Sequence, residues 1–392
     1  MRTAILAALI AIAPGSLLAQ SASPGAQAPI HVGRVAVTPV IAAEAGLETN
    51  VRNSALNPES DTFVSVLLGL QATSNLRRAV LDGGVSLPYM RFTNNPDLGQ
   101  VGRDARLAFS LPFSRLTLRA NAAYQDLKQR VNLEIDTRVR RKQQVFGAGG
   151  SWEITPNMAV DLGIERQRQD YHNAAIGGID LDRVLAEDVD IASGTLRRRV
   201  TPLTDVLVVF QNRRDRFSLD PSRNSDSQRV MAGFQSTALI NGRATVGYVS
   251  FSPAGASAPP FRGLAAQGDL QFQLSTSTTA SVQASRDVTF SYQPFAPYYV
   301  ATSVGASVTH PIFLGIVARA SAGYQRSVYR TFIASDALPP RDIGTTYSFG
   351  LERLIGRHLS LGGSGTVTSR KASGALPDYT NRRVSVGVNL PF

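Results

Sequence analysis

The chain of 392 residues predicts an all-β fold: one transmembrane antiparallel up-and-down β-barrel of about 16–18 strands. Three observations predict it. Apolar residues recur at every second position through most of the chain. Short turns alternate with long polar connections. The last alternating segment closes the sequence on an aromatic residue.

The N-terminal segment comes first. Met1-Arg2 is a short basic start, residues 4–13 are apolar, Pro14-Gly15 breaks the run, and small residues lead to Ala19. That is the layout of a secretory signal peptide over 1–19, with cleavage between 19 and 22. The apolar stretch is too short for a spanning helix, which needs about 20 residues. Residues 20–30, rich in Ser, Ala, Pro and Gln, predict a flexible lead-in. No later segment approaches spanning-helix length, so a membrane location requires strands.

Residues 31–392 read as the barrel. In 312–330 the even positions are Ile312, Leu314, Ile316, Ala318, Ala320, Ala322 and Tyr324, while Arg319, Ser321, Gly323 and Gln325 fall between them. Period two belongs to a strand, not to a helix. The pattern recurs at 116–125, 158–165 and 264–274. Many runs reach the roughly 9–11 residues that a tilted spanning strand requires, beyond the usual strand of about 5–6. Short turn signals fall at 73–75, 112–114, 155–157, 201–204, 241–242, 275–277, 310–311 and 356–358. Longer connections fall between them at 51–62, 93–104, 128–143, 171–186, 212–227, 252–262, 293–299, 331–342 and 370–380. Outer-membrane barrels have this rhythm, with short periplasmic turns and long external loops. The weak strands at 35–49 and 225–239 leave about 16 as the competitor to about 18.

At the C-terminus Val384, Val386, Val388, Leu390 and Phe392 share one face. Ser385, Gly387, Leu390 and Phe392 fall at the polar, glycine, hydrophobic and aromatic positions of a bacterial outer-membrane assembly signal. Tyr89, Tyr124, Trp152, Tyr248, Phe290, Tyr292, Tyr324 and Tyr347 are candidates for interface girdles.

Composition narrows the chemistry. There is no cysteine, which excludes disulfides, thiolate catalysis and a Cys lipid anchor. His31, His172, His310 and His358 show no metal-ligand spacing. No cofactor and no enzymatic function are expected; a barrel lipase built on His172 lacks an accompanying Ser motif. Gly362-Gly363-Ser364-Gly365 has no following helix, which points to strand glycines beside a bulge and not to a phosphate loop.

The formal charge is +11. Lys128, Arg130, Arg138, Arg140, Arg141 and Lys142 cluster in one long connection, and Arg213, Arg214, Arg216 and Arg223 in another. The loop map places these groups outside, facing the phosphates and carboxylates of lipopolysaccharide or acidic polysaccharide. In an exported chain this basicity does not indicate nucleic acid. Candidates for the lumen lining are Arg119, Gln125, Asp161, Glu165, Gln267, Asp269, Gln283 and Asp287.

The mature chain also resembles the family of porin-like outer-membrane β-barrel proteins associated with exopolysaccharide export loci. The carriers are Glu48-Thr49-Asn50-Val51, Thr201-Pro202-Leu203-Thr204-Asp205, Arg213-Arg214-Asp215-Arg216-Phe217 and Gly247-Tyr248. Glu48 stands where Asp is commoner. The resemblance implies an outer-membrane location and a role near polysaccharide export, and it brings no catalytic residues.

Together these readings predict a barrel that passes hydrophilic solutes or supports export of an anionic polysaccharide. The rivals are a non-conducting barrel that binds surface polymer and a soluble secreted β-protein. Expected partners are outer-membrane lipid and lipopolysaccharide, the barrel-assembly machinery and polysaccharide export components. The leader has a direct check: mass spectrometry of the protein recovered from membranes should find a mature N-terminus just after residue 19 to 22. A chain retaining Met1 would contradict it.

Overall fold

Strands long enough to cross a bilayer need an unbroken supply of β-compatible residues, and the chain supplies them with Val, Ile, Thr and aromatics in alternation. The computed structural model describes residues 29–172, 174–255, 258–332, 339–356, 359–373 and 376–391. The expected signal peptide, its cleavage region, most of the lead-in, His358 and Phe392 lie outside the described residues.

Eighteen strands form one closed antiparallel barrel. The first nine are β1 (Val35–Glu48), β2 (Asp61–Asn75), β3 (Val80–Phe92), β4 (Arg103–Pro112), β5 (Leu116–Gln129), β6 (Val139–Thr155), β7 (Met158–His172), β8 (Glu187–Thr201) and β9 (Thr204–Arg216). The second nine are β10 (Ser225–Thr237), β11 (Ile240–Pro253), β12 (Phe261–Gln273), β13 (Thr279–Phe290), β14 (Tyr298–Pro311), β15 (Ile316–Arg330), β16 (Arg341–Ile355), β17 (Leu359–Ala372) and β18 (Tyr379–Pro391). The shortest has 10 residues and the longest 17, so every strand meets the spanning length of about 9–11. Each strand pairs with its sequence neighbours, and β1 closes the ring on β18 from Val40↔Pro391 to Glu48↔Arg383.

The pleat sorts the side chains. On β7, Leu162 and Ile164 are 64% and 67% exposed on the outer face, while Asp161, Gly163 and Glu165 point inward with their cross-strand partners on β8. Tyr89, Tyr124, Trp152, Tyr248, Tyr324 and Tyr347 share the outward parity of the exposed apolar residues. Phe290 and Tyr292 instead pack inside the barrel mouth, Phe290 because the end of β13 is no longer paired to β12.

Three turn expectations shift, the first at 73–75, which pair within β2 and leave residues 76–79 as the turn to β3. The β10–β11 turn is Ala238-Leu239, and Asn241-Gly242 lie within β11. Gly242 has φ +135, tolerated because it lacks a Cβ that would strike the Asp269 carbonyl. The strand expected from 312 begins at Ile316, after a turn through Leu314 (φ 50) and Gly315 (φ 72). That turn is apolar, so it continued the alternation and hid the break. The Gly362–Gly365 segment lies in β17 with regular pairing on both sides and no bulge.

The closing seam has a tight spot that generates a prediction. Gly46 on β1 leaves room for the Phe63 ring, whose Cζ would lie 2.7 Å from an added Cβ. The Arg383 guanidinium of β18 sits 4.0 Å over that ring and bonds to Glu44. Gly46→Val should overpack the seam and cost about 1–3 kcal/mol. The temperature at which the heat-modifiable gel mobility of the folded barrel is lost should fall; an unchanged temperature would contradict this packing.

Candidate permeation pathway

Inward-facing residues of the two barrel halves have different surroundings. Toward the short turns, Arg106, Arg119, Asn121, Gln267, Asp269, Gln271 and Gln273 face the lumen and are exposed. One wall, β13 to β18, is rich in hydroxyls around Arg319–Glu352 at 2.7 Å, the single salt bridge between these strands among the described residues: Ser281–Ser307 and Ser285–Ser303 meet at 2.7 Å, Ser348–Thr366 at 3.1 Å and Ser364–Ser385 at 3.0 Å. The opposite wall is charged. Arg197 bridges Asp161 at 2.6 Å and Asp205 at 3.5 Å, and Gln125 donates to Asp104 at 2.7 Å.

The remaining lumen candidates also lie on inward faces. Glu165 accepts from Gln167, Gln283 donates to Asp269 at 3.2 Å, and Asp287 pairs with Arg229 at 2.7 Å. Arg106 and Arg119 form no salt bridge among the described residues.

Toward the long loops, the lumen is filled. Residues 130–138 between β5 and β6 fold into the barrel mouth. Arg130 and Arg138 both reach the buried Glu48 carboxylate, at 2.8 and 3.0 Å. Asp136 pairs with the fully buried Arg370 of β17 at 2.8 Å, and Arg370 also donates to the Leu133 carbonyl at 2.9 Å. Asn53 donates to the Asp136 carbonyl at 2.9 Å, while Asn381 donates to Glu48 at 2.7 Å and to Asn53 at 3.1 Å. Glu134 accepts from the Ser291 hydroxyl and from the Tyr292 N–H. The loop thus spans from β1 to the β13–β14 connection and β17.

Apolar packing backs the network. Ile135 and Val139 join Tyr171, Tyr292, Ala174 and the short helix α1 (Leu181–Leu185). A second cluster forms where β13 leaves the wall. Pairing of β12 with β13 stops at Ala266↔Arg286, whereas β13 and β14 stay paired up to Phe290↔Tyr298. This hairpin end packs Val288, Phe290, Tyr298 and Val300 on Leu207, Val209, Met231 and Phe251 of the facing inner wall.

The expected external basic loops are therefore redistributed: only Arg130, Arg138 and Arg223 lie in connections, and the other cations sit in the loop-side ends of β5, β6 and β9. Arg130 and Arg138 turn inward to Glu48, and Arg213 turns inward to Asp215 at 2.7 Å. Arg141 is also inward, near Gln169. Arg223 donates into the β13–β14 connection, to the Pro297 carbonyl at 3.1 Å. Lys128, Arg140, Lys142, Arg214 and Arg216 stay on the outer surface: Lys128 donates to the Asp97 carbonyl, Arg140 pairs with Asp126 at 2.6 Å, Lys142 sits over Tyr124, and Arg216 pairs with Asp226 at 2.8 Å. The cause is long-range: carboxylates buried in the mouth need cations, and local charge clustering does not show which cations they recruit.

Sequence reasoning missed Glu48, Asn53, Glu134, Asp136, Arg370 and Asn381 as a site. One signal was present, since Glu48-Thr49-Asn50-Val51 carried the family resemblance. Of the expected assembly signal, Ser385 and Gly387 face the lumen from β18 and Leu390 has the opposite parity. His172 lies on the outer face beside Arg140.

The loop carboxylates are protonically unusual. Burial pushes Glu134 from 4.5 up to about 8, against the lowering effect of its bonds from Ser291 and Tyr292. Burial also raises Asp136, opposed by Arg370 and Arg130. Arg138 is lowered to about 10 by burial and by neighbouring Arg130.

Comparison with known proteins gives a family match. The family model described as Putative beta-barrel porin 2 matches residues 23–392. No curated protein matches the chain. Among solved structures, a BenF-like porin from Pseudomonas fluorescens Pf-5 is 10% identical with a TM-score of 0.49, covering 91% of this chain and 99% of that one. OccK2 (OpdF) of Pseudomonas aeruginosa, solved in complex with glucuronate, is 14% identical with a TM-score of 0.49, covering 90% and 98%. A bacterial polysaccharide outer membrane secretin is 11% identical with a TM-score of 0.39, covering 90% and 98%.

The Glu134 environment predicts pH-dependent closure. Its proton is held more tightly in the packed loop than in water, so packing is fully supported below about 4.5 and loses that support as pH rises through about 8. Arg223 and Asp342 also face the group, with opposing effects. Hydrogen-exchange protection of 131–138, corrected for intrinsic rates, should fall between pH 5 and 8.5. Glu134→Gln should flatten the dependence; equal slopes would contradict the assignment.

Proposed function

The chain belongs to the β-barrel porin family whose model it matches, and from that premise we propose that it conducts hydrophilic solutes across the outer membrane, with loop 130–138 controlling entry from outside. As a porin-like outer-membrane β-barrel, it needs no covalent step. The observation that carries the reading is the contrast along the lumen. Polar, exposed side chains line the half nearest the short turns, and a loop held by ion pairs narrows the other half. Barrels of about 16–18 strands are wide enough for an aqueous channel, and lining groups then select by size and charge.

Support for export of an anionic polysaccharide is the second reading. It is favoured by Arg106 and Arg119, exposed inside the barrel opposite the hydroxyl wall. A sugar chain would hydrogen-bond the Ser and Thr face while its carboxylates meet the cations. Export through the signal peptide, and partners among the assembly machinery and polysaccharide export components, complete the proposal.

Planar-bilayer recording tests it. The wild-type barrel should give small, discrete conductance steps. The double variant Glu48→Gln/Asp136→Asn releases the acidic anchors of the loop and should raise conductance severalfold. If neither protein conducts while both migrate as folded barrels, the pathway is refuted and a non-conducting structural barrel takes its place.

A further inference from the structure

The outward faces of the strands divide into two arcs at their loop ends. From β5 to β10 acids share the face with the cations and four pairs form: Arg140 with Asp126, Arg166 with Asp188 at 3.3 Å, Arg168 with Asp170 at 3.3 Å and Arg216 with Asp226. From β12 to β15 the outward parity brings Arg262, Arg286, Arg326 and, at the strand end, Arg330, whose guanidinium lies over the Phe261 ring, with no Asp or Glu among the described residues.

Two of these arginines form a row. Arg286 is paired across the sheet with Thr302, and Thr302 with Arg326. The Thr302 hydroxyl accepts from Arg286 Nη1 at 2.7 Å. Neighbouring strands lie about 4.8 Å apart, so the two arginine backbones are roughly 10 Å apart across the threonine. Neither guanidinium has a salt bridge among the described residues.

The level of the row matters. One step below lie Ala284, Val304 and Tyr324, with Val304 and Tyr324 exposed on the apolar band. Above Arg286, strand β13 leaves the wall and turns its next residues inward. The row therefore sits at the upper edge of the hydrocarbon, where lipid headgroups begin, beneath a place where the wall recedes.

The geometry points to a binding site for the phosphate of an anionic outer-leaflet glycolipid, held between Arg286 and Arg326 with its acyl chains along Val304 and Tyr324. Phosphate offers several acceptor oxygens to two donor forks, and an anion there removes the repulsion between unmatched cations at a low-dielectric boundary. This site rests on the outer-membrane placement but not on conduction. It also differs from the lipopolysaccharide contact expected of the long loops, several of whose cations are used inside the barrel.

Native mass spectrometry of the detergent-solubilised full barrel tests it, with diphosphoryl lipid A and its dephosphorylated form as probes. The wild type should retain the phosphorylated lipid preferentially. Arg286→Gln/Arg326→Gln should weaken that retention by about tenfold, as expected for loss of charge-assisted bonds. Arg168→Gln, in the matched arc, should change it by less than about twofold. Equal binding of both lipids to the wild type would overturn the site, and this readout does not depend on a variant folding. So would unchanged retention by the folded double variant, or displacement by inorganic phosphate as effective as by the lipid. Conductance of the same preparations is read separately, so loss of the site leaves the channel reading standing.

Discussion

Hydrocarbon offers no water to an unpaired N–H or C=O, and each such group left open costs several kcal/mol. A sheet can cross a membrane only if its first strand meets its last. Here that meeting is the β1–β18 ladder, nine residue pairs from Val40↔Pro391 to Glu48↔Arg383. Closure imposes the rest: antiparallel neighbours in sequence order, short turns at one rim and long loops at the other, and a lipid face alternating with a lumen face. The near-zero mean hydropathy of −0.04 is the average of those two faces.

A ring this wide encloses more space than its side chains can fill. The interior is consequently not a hydrophobic core. Toward the short turns it stays exposed and polar. Toward the loops, chain from outside the wall fills it, and buried ion pairs hold that chain in place. Glu48 has two arginines and an asparagine amide, and Arg370 has a carboxylate and backbone carbonyls. Buried charges persist only with such multiple partners, and removing one side typically costs about 3–5 kcal/mol. The same constraint underlies the expected pH dependence: among the described residues Glu134 has only neutral hydrogen-bond donors, so burial favours its protonated form.

The barrel was legible because its grammar is local. Alternation at 116–125 and 158–165 and the loop rhythm both follow from neighbouring residues, and even the faint segments 35–49 and 225–239 are complete strands. Where the local cue was absent, the reading slipped: the apolar turn at Ile312–Gly315 imitates a strand, and Phe290 and Tyr292 look like girdle residues. The mouth was illegible for a different reason. Arg130 and Arg138 find Glu48 some eighty to ninety positions away, and Asp136 finds Arg370 across the barrel. Nothing in a run of basic residues tells which will turn inward.

The absence of cysteine makes the central claim open to a clean measurement. Single cysteines introduced at successive positions of β5 and β12, in barrels reconstituted in lipid, can be challenged with a membrane-impermeant thiol reagent. The account predicts a period of two. Asn121→Cys, Gln267→Cys and Gln271→Cys should label, Ala122→Cys, Ala266→Cys and Leu270→Cys should not, and Ile135→Cys should stay protected in the mouth. Uniform labelling along either strand, or rapid labelling at position 135, would contradict a polar lumen closed from outside by an inward-folded loop.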